Sequence, residues 1–228
     1  MRAWLAALLL AAAPAWGAPF AVQLGAVRLG LDAPPGFADT SFTGSPRLQE
    51  IGESLTSASN KILLFAISDA DLRSFSQGDT PELRRYMIIA TPRGVAEQQI
   101  SASQFNEFVA DALRGLGPPA PDENYPKYLD SQPPGKAMLL AELHRETTMV
   151  SVLQGMRLPS VRQPGLLERL FEKEQAPRYV VSTTTLLALK GKALSLSVFS
   201  RYTSPEDIAW IKAATGNWVD QLERLNRK

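Results

Sequence analysis

The C-terminal part of the chain has the clearest pattern of hydrophobic and polar positions. Val, Thr and Leu dominate residues 179–189, which favours a strand. Gly191 then allows a tight turn, and hydrophobic and polar residues alternate through residues 193–202, as on a strand with one buried face. The two segments therefore predict a β-hairpin with one hydrophobic face.

A helix is predicted directly after this hairpin. Ser204 can accept a hydrogen bond from the first helical turn, and Pro205 suits the first helical position. The residues that fall on one hydrophobic stripe are Ile208, Ile211, Thr215, Trp218, Leu222 and Leu225. A hairpin and a helix that each have one hydrophobic face predict a sheet with a helix packed on it.

The remaining strands and helices follow from the same two periods. The other strands are predicted at residues 22–31, 61–68, 86–90, 137–143 and 147–153. For residues 138–143, a helix is the alternative. The other helices are predicted around residues 48–55, 105–116 and 166–171. A turn is expected near residues 144–146, and residues 68–81 are expected to be irregular. Because most strands come in adjacent pairs, the sequence predicts an α+β fold in which helices cover a largely antiparallel sheet.

Residues 117–136 interrupt these patterns with six prolines and two tyrosines. Prolines at that density predict a long, extended surface loop inside the domain, and such loops are often functional. Tyr125 and Tyr128 are therefore candidates for binding a partner, as is Trp210, which lies off the stripe of the last helix. The alternative is that these aromatic rings hold the loop against the body of the domain.

The N-terminal residues have the pattern of a signal peptide. Arg2 precedes an apolar segment, residues 4–13, which is too short to span a bilayer as an anchor. Gly17 completes a small-residue cleavage motif, so residues 1–17 are predicted to be removed and residues 18–228 to form one exported domain. The expected location is the periplasm or the medium, and the mature protein is not expected to span a membrane. The alternative is an uncleaved N-terminal anchor.

The composition argues against several classes of protein. The chain has 24 basic and 23 acidic side chains, and loss of Arg2 with the signal peptide would leave a net charge of zero. Zero net charge argues against a protein that binds nucleic acid through its phosphates. The absence of cysteine excludes disulfides, thiol nucleophiles, thiolate zinc sites and iron–sulfur clusters. No cofactor is predicted.

His144 is the only histidine, so a hydrolase of the serine–histidine–aspartate type would have to use it. No serine lies in a Gly-x-Ser-x-Gly motif, which favours a surface or turn histidine instead. On a continuous strand, Glu142, His144 and Glu146 would share one face and could hold a divalent metal ion. In a turn the same spacing has no such meaning.

Asp69 and Asp71 follow a predicted buried strand. Two carboxylates at a strand end can bind magnesium or calcium, or act as an acid and a base. Aspartate is also common in turns and at helix starts. Capping of the segment that follows is therefore the favoured interpretation of this pair.

A Pro-Pro-Gly-Phe turn, residues 34–37, follows the first predicted strand. Together with the C-terminal hairpin and its closing helix, this turn resembles the PsbP-like family of photosystem accessory proteins and exported bacterial proteins. The resemblance implies an α/β/α sandwich with a non-enzymatic accessory or binding role. It assigns no site residues.

Three functions are compatible with these patterns. The favoured one is an exported, non-catalytic accessory or binding protein of the bacterial cell envelope, whose partner is an unknown protein or small molecule. The second is a hydrolase or metal-dependent enzyme that uses His144. The third is a carrier of a small apolar ligand held between the sheet and the helices.

Overall fold

The computed structural model describes residues 19–159 and 179–227. The strands are β1 (Phe20–Leu24), β2 (Val27–Leu31), β3 (Phe37–Asp39), β4 (Asn60–Ser68), β5 (Arg85–Pro92), β6 (Met138–Glu146), β7 (Met149–Arg157), β8 (Tyr179–Leu189) and β9 (Lys192–Tyr202). The α-helices are α1 (Pro46–Ser54), α2 (Asp69–Ser76), α3 (Ala102–Leu113), α4 (Tyr125–Asp130) and α5 (Pro205–Asn226). Short 3-10 helices lie at Thr40–Thr43 and Arg93–Val95. The predicted signal peptide and the helix predicted at residues 166–171 lie outside the described residues and stay predictions.

Seven strands form one sheet in the order β3-β4-β5-β9-β8-β7-β6, and each neighbouring pair is antiparallel. β1 and β2 form a separate antiparallel pair. β8 and β9 pair along their whole length, from Tyr179 opposite Tyr202 to Leu189 opposite Lys192. The predicted C-terminal hairpin and the predicted α+β class with a largely antiparallel sheet are therefore confirmed.

The largest part of the core lies between the sheet and α5. Ile211 and Leu222 are 0% and 1% exposed and pack against the inward residues of the sheet. The β1–β2 pair packs near the end of α5, where the Asn226 side chain bonds the backbone N–H and the carbonyl of Gly30, at 3.0 and 2.8 Å. The predicted stripe of α5 is wrong at Leu225, which is 37% exposed, because the neighbouring Asn226 faces β2 instead.

Three helices cover the opposite face of the sheet. α1 and α2 pack on β4 and β5 around Phe65 and Ile67, while α3 packs on β7 and β8 around Phe105 and Val152. The middle of this face is left between the two groups of helices, and a pocket of about 500 Å³ lies there. Helices therefore lie on both faces of the sheet.

Some predicted elements differ in the structure, each for a local reason. The single strand predicted at residues 22–31 is two strands, because Gly25 has a φ of +57° and lets the chain turn back. The segment predicted to be irregular contains α2, whose N-cap Ser68 accepts a hydrogen bond from the N–H of Asp71 at 3.0 Å. The loop predicted to be extended contains α4, which is capped by Asn124.

α5 is 22 residues long, and charged side chains interrupt its sequence repeatedly. Within residues 19–159 and 179–227, no helix combines the length and the hydrophobicity that crossing a membrane requires.

Candidate binding site at the end of the sheet

Of the three side chains within residues 142–146 that were predicted to hold a metal ion, the structure separates Glu142 from His144 and Glu146. They lie on β6 and not in a turn, which comes after the strand. The register between β6 and β7 shifts between Glu142 and His144, so a bulge interrupts the alternation of side chains. Glu142 is opposite Val152, whose side chain packs with α3, whereas His144 is opposite Ser151, which faces the other side of the sheet. Glu142 and His144 therefore lie on opposite faces.

Each of these side chains has a neighbour of its own. Glu142 accepts two hydrogen bonds from Arg145, at 2.6 and 2.8 Å, and this contact lowers the pKa of the Glu142 carboxyl. Nε2 of His144 lies 3.0 Å from Oε1 of Glu146, and the histidine side chain is 42% exposed. Across the described parts of the chain, no three metal-binding side chains come together. Among the described residues, His144 lines none of the pockets of about 630, 500 and 530 Å³.

Asp69 and Asp71 lie in the first turn of α2, and only Asp71 is buried. Oδ2 of Asp71 accepts a hydrogen bond from the hydroxyl of Ser68 at 2.8 Å, and Oδ1 accepts one from the N–H of Glu82 at 2.9 Å. Asp71 therefore ties the start of α2 to the segment before β5. The cap of α2 is Ser68, which accepts a hydrogen bond from the N–H of Asp71, so neither aspartate of the pair is itself the cap.

Tyr125 and Tyr128 lie on α4 and turn toward the main core. Tyr125 is 7% exposed, and burial is the main cause that raises the pKa of its hydroxyl. Tyr128 is partly buried against the same cluster. At the end of α4, Asp130 accepts a hydrogen bond from the hydroxyl of Tyr179 at 2.7 Å, which fixes α4 to β8. The two tyrosine rings thus hold the proline-rich segment on the domain, and their role in partner binding stays a prediction.

Trp210, the third predicted contact residue, holds an arginine in place. It is half-buried on α5, and the ring of Phe37 packs beside it with 6.2 Å between the ring centroids. The guanidinium carbon of Arg85 lies 4.0 Å from the centroid of the indole ring, in a cation–π contact. The same guanidinium donates to Oδ1 of Asp207 at 3.0 Å. Trp210 and Asp207 together fix the position of the Arg85 side chain.

Arg85 lines a pocket of about 530 Å³ at the end of the sheet, where β4 and β9 end and β5 begins. Residues from the first turns of α2 and α5 contribute to its walls. Three arginines line this pocket, which is therefore called the arginine pocket. Its charged lining residues are Arg84, Arg85, Arg201, Asp71, Glu82 and Asp207.

The two buried carboxylates of the arginine pocket already have hydrogen-bond donors. Asp207 accepts from the N–H and the hydroxyl of Thr203, both at 2.8 Å, from the N–H of Ser204 at 3.2 Å, and from Arg85. Burial raises the pKa of Asp207, but these hydrogen bonds outweigh burial and lower the pKa to about 2. Asp71 is occupied by its own two donors. Both carboxylates therefore already accept hydrogen bonds from other residues of the domain.

Among the residues that the structure describes, Arg84 and Arg201 have no such partner. Both are exposed, and a hydrogen bond of 2.8 Å from the N–H of Arg201 to the carbonyl of Arg84 holds their backbones side by side. No carboxylate within the described ranges lies within 4.0 Å of either guanidinium, and Glu82, which also lines the pocket, is farther away. Guanidinium groups bind carboxylates and phosphates through two parallel N–H bonds. The free hydrogen-bonding capacity of the arginine pocket therefore suits an anionic group.

Sequence analysis missed these arginines. The doublet Arg84-Arg85 at the start of a strand was the only local signal for them. Arg201 joins them only because β5 pairs with β9, with Arg85 opposite Ser200. The hydrophobic pattern predicts both strands but does not state which strands become neighbours.

The third predicted function, a carrier of a small apolar ligand, requires a cavity that can hold such a ligand. The space between the sheet and α5 is filled by side chains such as Trp218, which is 1% exposed. The pocket of about 500 Å³ on the opposite face is lined by Ile88 and Phe199, but also by the hydroxyl groups of Thr184 and Ser197. These features do not assign an apolar ligand to the chain, and the carrier function stays a prediction.

No protein-family model matches the chain, and no curated protein matches it. A structure of the Ran-binding protein Mog1p from Saccharomyces cerevisiae is similar over 92% of this chain and 93% of that chain, with 17% identity and a TM-score of 0.37. A structure of a point mutant of the protein Mog1 is similar over the same shares of the two chains, with 16% identity and a TM-score of 0.39. Neither is a structure of a PsbP-like protein, so the predicted resemblance to that family is wrong. TM-scores this low assign neither a family nor a partner to the chain.

Proposed function

We propose that the protein is an exported, non-catalytic binding protein of the bacterial cell envelope, which recognises an acidic segment of a protein partner in the arginine pocket. The observation that carries the proposal is the pair Arg84 and Arg201. Their backbones are hydrogen-bonded to each other, and no carboxylate of the described residues lies within 4.0 Å of either guanidinium. The two buried carboxylates of the same pocket are already bound within the fold.

Arg84 and Arg201 are both exposed to solvent, which favours a protein partner over a small anion. Small ligands are usually enclosed over most of their surface, whereas Arg84 and Arg201 are both exposed. Exposed guanidinium groups gain most from several carboxylates that arrive together on one chain, because the second contact costs less entropy than the first. Arg85 lines the same pocket and adds a positive charge whose position is fixed, since Trp210 and Asp207 hold its side chain.

The non-catalytic part of the proposal is supported by the position of His144. This histidine pairs with an exposed glutamate on β6 and does not line the arginine pocket. The proposed export is supported by the sequence pattern of residues 1–17 alone.

The experiment measures binding of a fluorescently labelled octaglutamate peptide by anisotropy. The double variant Arg84→Gln with Arg201→Gln should weaken the Kd roughly tenfold or more, which corresponds to the loss of about 1.4 kcal/mol. The matched control is Arg28→Gln with Arg224→Gln, which removes the same charge from exposed positions on β2 and α5 and should change the Kd less than about threefold.

Two results would contradict the proposal. An equal loss of affinity in the two double variants would mean that the peptide responds to net charge and not to the arginine pocket. Binding of inorganic pyrophosphate without binding of octaglutamate would replace the acidic segment by a small anion as the ligand.

A further inference from the structure

The outer edge of β4 is paired over only part of its length. β4 has nine residues, and β3 pairs with the last three of them, Ala66 to Ser68. Residues 60–65 pair with β5 on one side only. No backbone hydrogen bond joins residues 61–64 to any described segment other than β5. In this stretch, no strand of residues 19–159 or 179–227 pairs with the backbone groups of the outer edge.

A pocket of about 630 Å³ lies along this free stretch. All of residues 60–65 line it, and the opposite wall comes from the 3-10 helix Thr40–Thr43 and from α1, including Gln49 and Gly52. Thr40 marks the point at which the pairing of β3 stops, because its hydroxyl donates to the carbonyl of Phe65 at 3.0 Å. The pocket therefore continues the line of β3 along β4.

The opposite edge of the sheet is protected in two ways. The N–H of Leu139 on β6 donates to the carbonyl of Leu116 at 3.0 Å, and the N–H of Ala120 donates to the carbonyl of Leu140 at 3.2 Å. The rest of β6 carries the charged residues Glu142, Arg145 and Glu146, and charges are a common protection of edge strands. The free stretch of β4 has one charged residue, Lys61, followed by Ile, Leu and Leu.

We propose that the free edge of β4 binds an extended segment of a partner protein, which adds to the sheet as a further strand in line with β3. Recognition would come mainly from main-chain hydrogen bonds, so the segment needs free backbone N–H groups and β-forming residues without proline. The register of β4 on β5 shifts between Ile62 and Leu64, and such a bulge bends an edge strand. The added strand is therefore short, about four to six residues.

This site is separate from the arginine pocket. The two pockets have no lining residue in common. The proposal does not depend on the acidic ligand of the arginine pocket, and either one can fail without the other.

The test uses a blocked peptide, Lys-Thr-Val-Thr-Val-Thr-Lys, and the same peptide with alternate backbone nitrogens methylated. Methylation removes the donors of one peptide edge but leaves the side chains unchanged. The unmodified peptide should bind and slow amide hydrogen exchange at residues 61–65, and the methylated peptide should bind at least about tenfold more weakly. Equal binding of the two peptides would overturn the proposal, as would protection confined to β6 or the absence of binding at millimolar peptide.

A pair of variants on α1 locates the site without disturbing the sheet. Gln49 and Glu50 are neighbouring exposed residues, but only Gln49 lines the pocket. Gln49→Trp should fill the pocket and weaken binding at least about tenfold, while Glu50→Trp should change the Kd less than about twofold. Equal affinities of the two variants would place the peptide elsewhere. A dimer in sedimentation equilibrium that Gln49→Trp dissociates and Glu50→Trp does not, with no binding of the peptide, would show that the edge pairs with a second copy of the chain instead.

Discussion

Asp207 is expected to be a major source of stability at neutral pH. Its carboxylate joins the start of α5 to the end of β9 through Thr203 and Ser204, and to β5 through Arg85. Asp207→Asn keeps the size of the side chain but removes the charge and replaces one acceptor by an NH₂ donor. The new NH₂ group then faces either Arg85, which donates to Oδ1 in the wild type, or Thr203 and Ser204, which donate to Oδ2.

The expected loss of stability follows from the pKa of Asp207. A carboxyl whose pKa is 3.8 without these partners and about 2 in the folded protein contributes about 2 kcal/mol to the free energy of unfolding at pH 7. With the donors that are left unpaired, the Asn variant should lose about 2–3 kcal/mol. For a domain of this size such a loss lowers the Tm by roughly 4–12 °C.

The pH dependence gives the sharper test. The folded pKa is depressed, so the contribution of Asp207 is fully present above the unfolded pKa of 3.8 and is lost as the pH falls toward 2. The difference in unfolding free energy between wild type and Asp207→Asn should therefore shrink between pH 4 and pH 2. Other carboxyl groups titrate in both proteins and largely cancel in this difference.

The assay is urea unfolding at a series of pH values, followed by circular dichroism. Asp220→Asn is the control, since Asp220 is an exposed aspartate on the same helix, and it should stay within about 0.5 kcal/mol of wild type. An Asp207→Asn variant as stable as wild type at pH 7, or a difference that is constant from pH 7 to pH 2, would refute the reasoning.

Two further predictions concern the interior. Lys192 is 1% exposed, and its Nζ donates to two backbone carbonyls at 2.8 and 3.2 Å, so Lys192→Met should lower the unfolding free energy by about 1–3 kcal/mol. Lys190→Met in the adjacent turn should leave the unfolding free energy unchanged in the same denaturation assay. A Lys192→Met variant as stable as wild type would show that burying the charge costs as much as its hydrogen bonds contribute. A Cβ at Gly155 would lie 2.9 Å from two leucine methyl groups, so Gly155→Ala should cost about 1–3 kcal/mol, while Gly94→Ala meets no atom within 4 Å and should be tolerated. Equal urea midpoints of unfolding for these two glycine variants would show that the core around β7 can accommodate the added methyl group without a loss of stability.

The elements that the sequence predicted well are those whose pattern is local and repeated. The C-terminal hairpin has one strand on which hydrophobic and polar residues alternate and a turn at Gly191, and α5 has its hydrophobic stripe at helical spacing. α2 was missed because only Leu72 and Phe75 carry its hydrophobic face, and the rest of the helix is polar. Two hydrophobic residues do not establish a period.

The candidate sites depend on features that a local pattern does not contain. Arg84 and Arg201 become neighbours through the pairing of β5 with β9, and the free edge of β4 exists because β3 is only three residues long. The separation of Glu142 from His144 depends on a bulge in β6. Each of these is a property of strand register, which is decided by contacts between distant parts of the chain.

The most direct test of the central claim is an NMR titration of the arginine side chains with octaglutamate. The Nε–Hε signals of Arg84 and Arg201 should shift together and saturate, because the acidic segment contacts both guanidinium groups. The signals of Arg28 and Arg224, which lie on other exposed surfaces, should stay in place. Shifts of similar size at all four arginines, or none at Arg84 and Arg201, would contradict the assignment of the arginine pocket as the binding site.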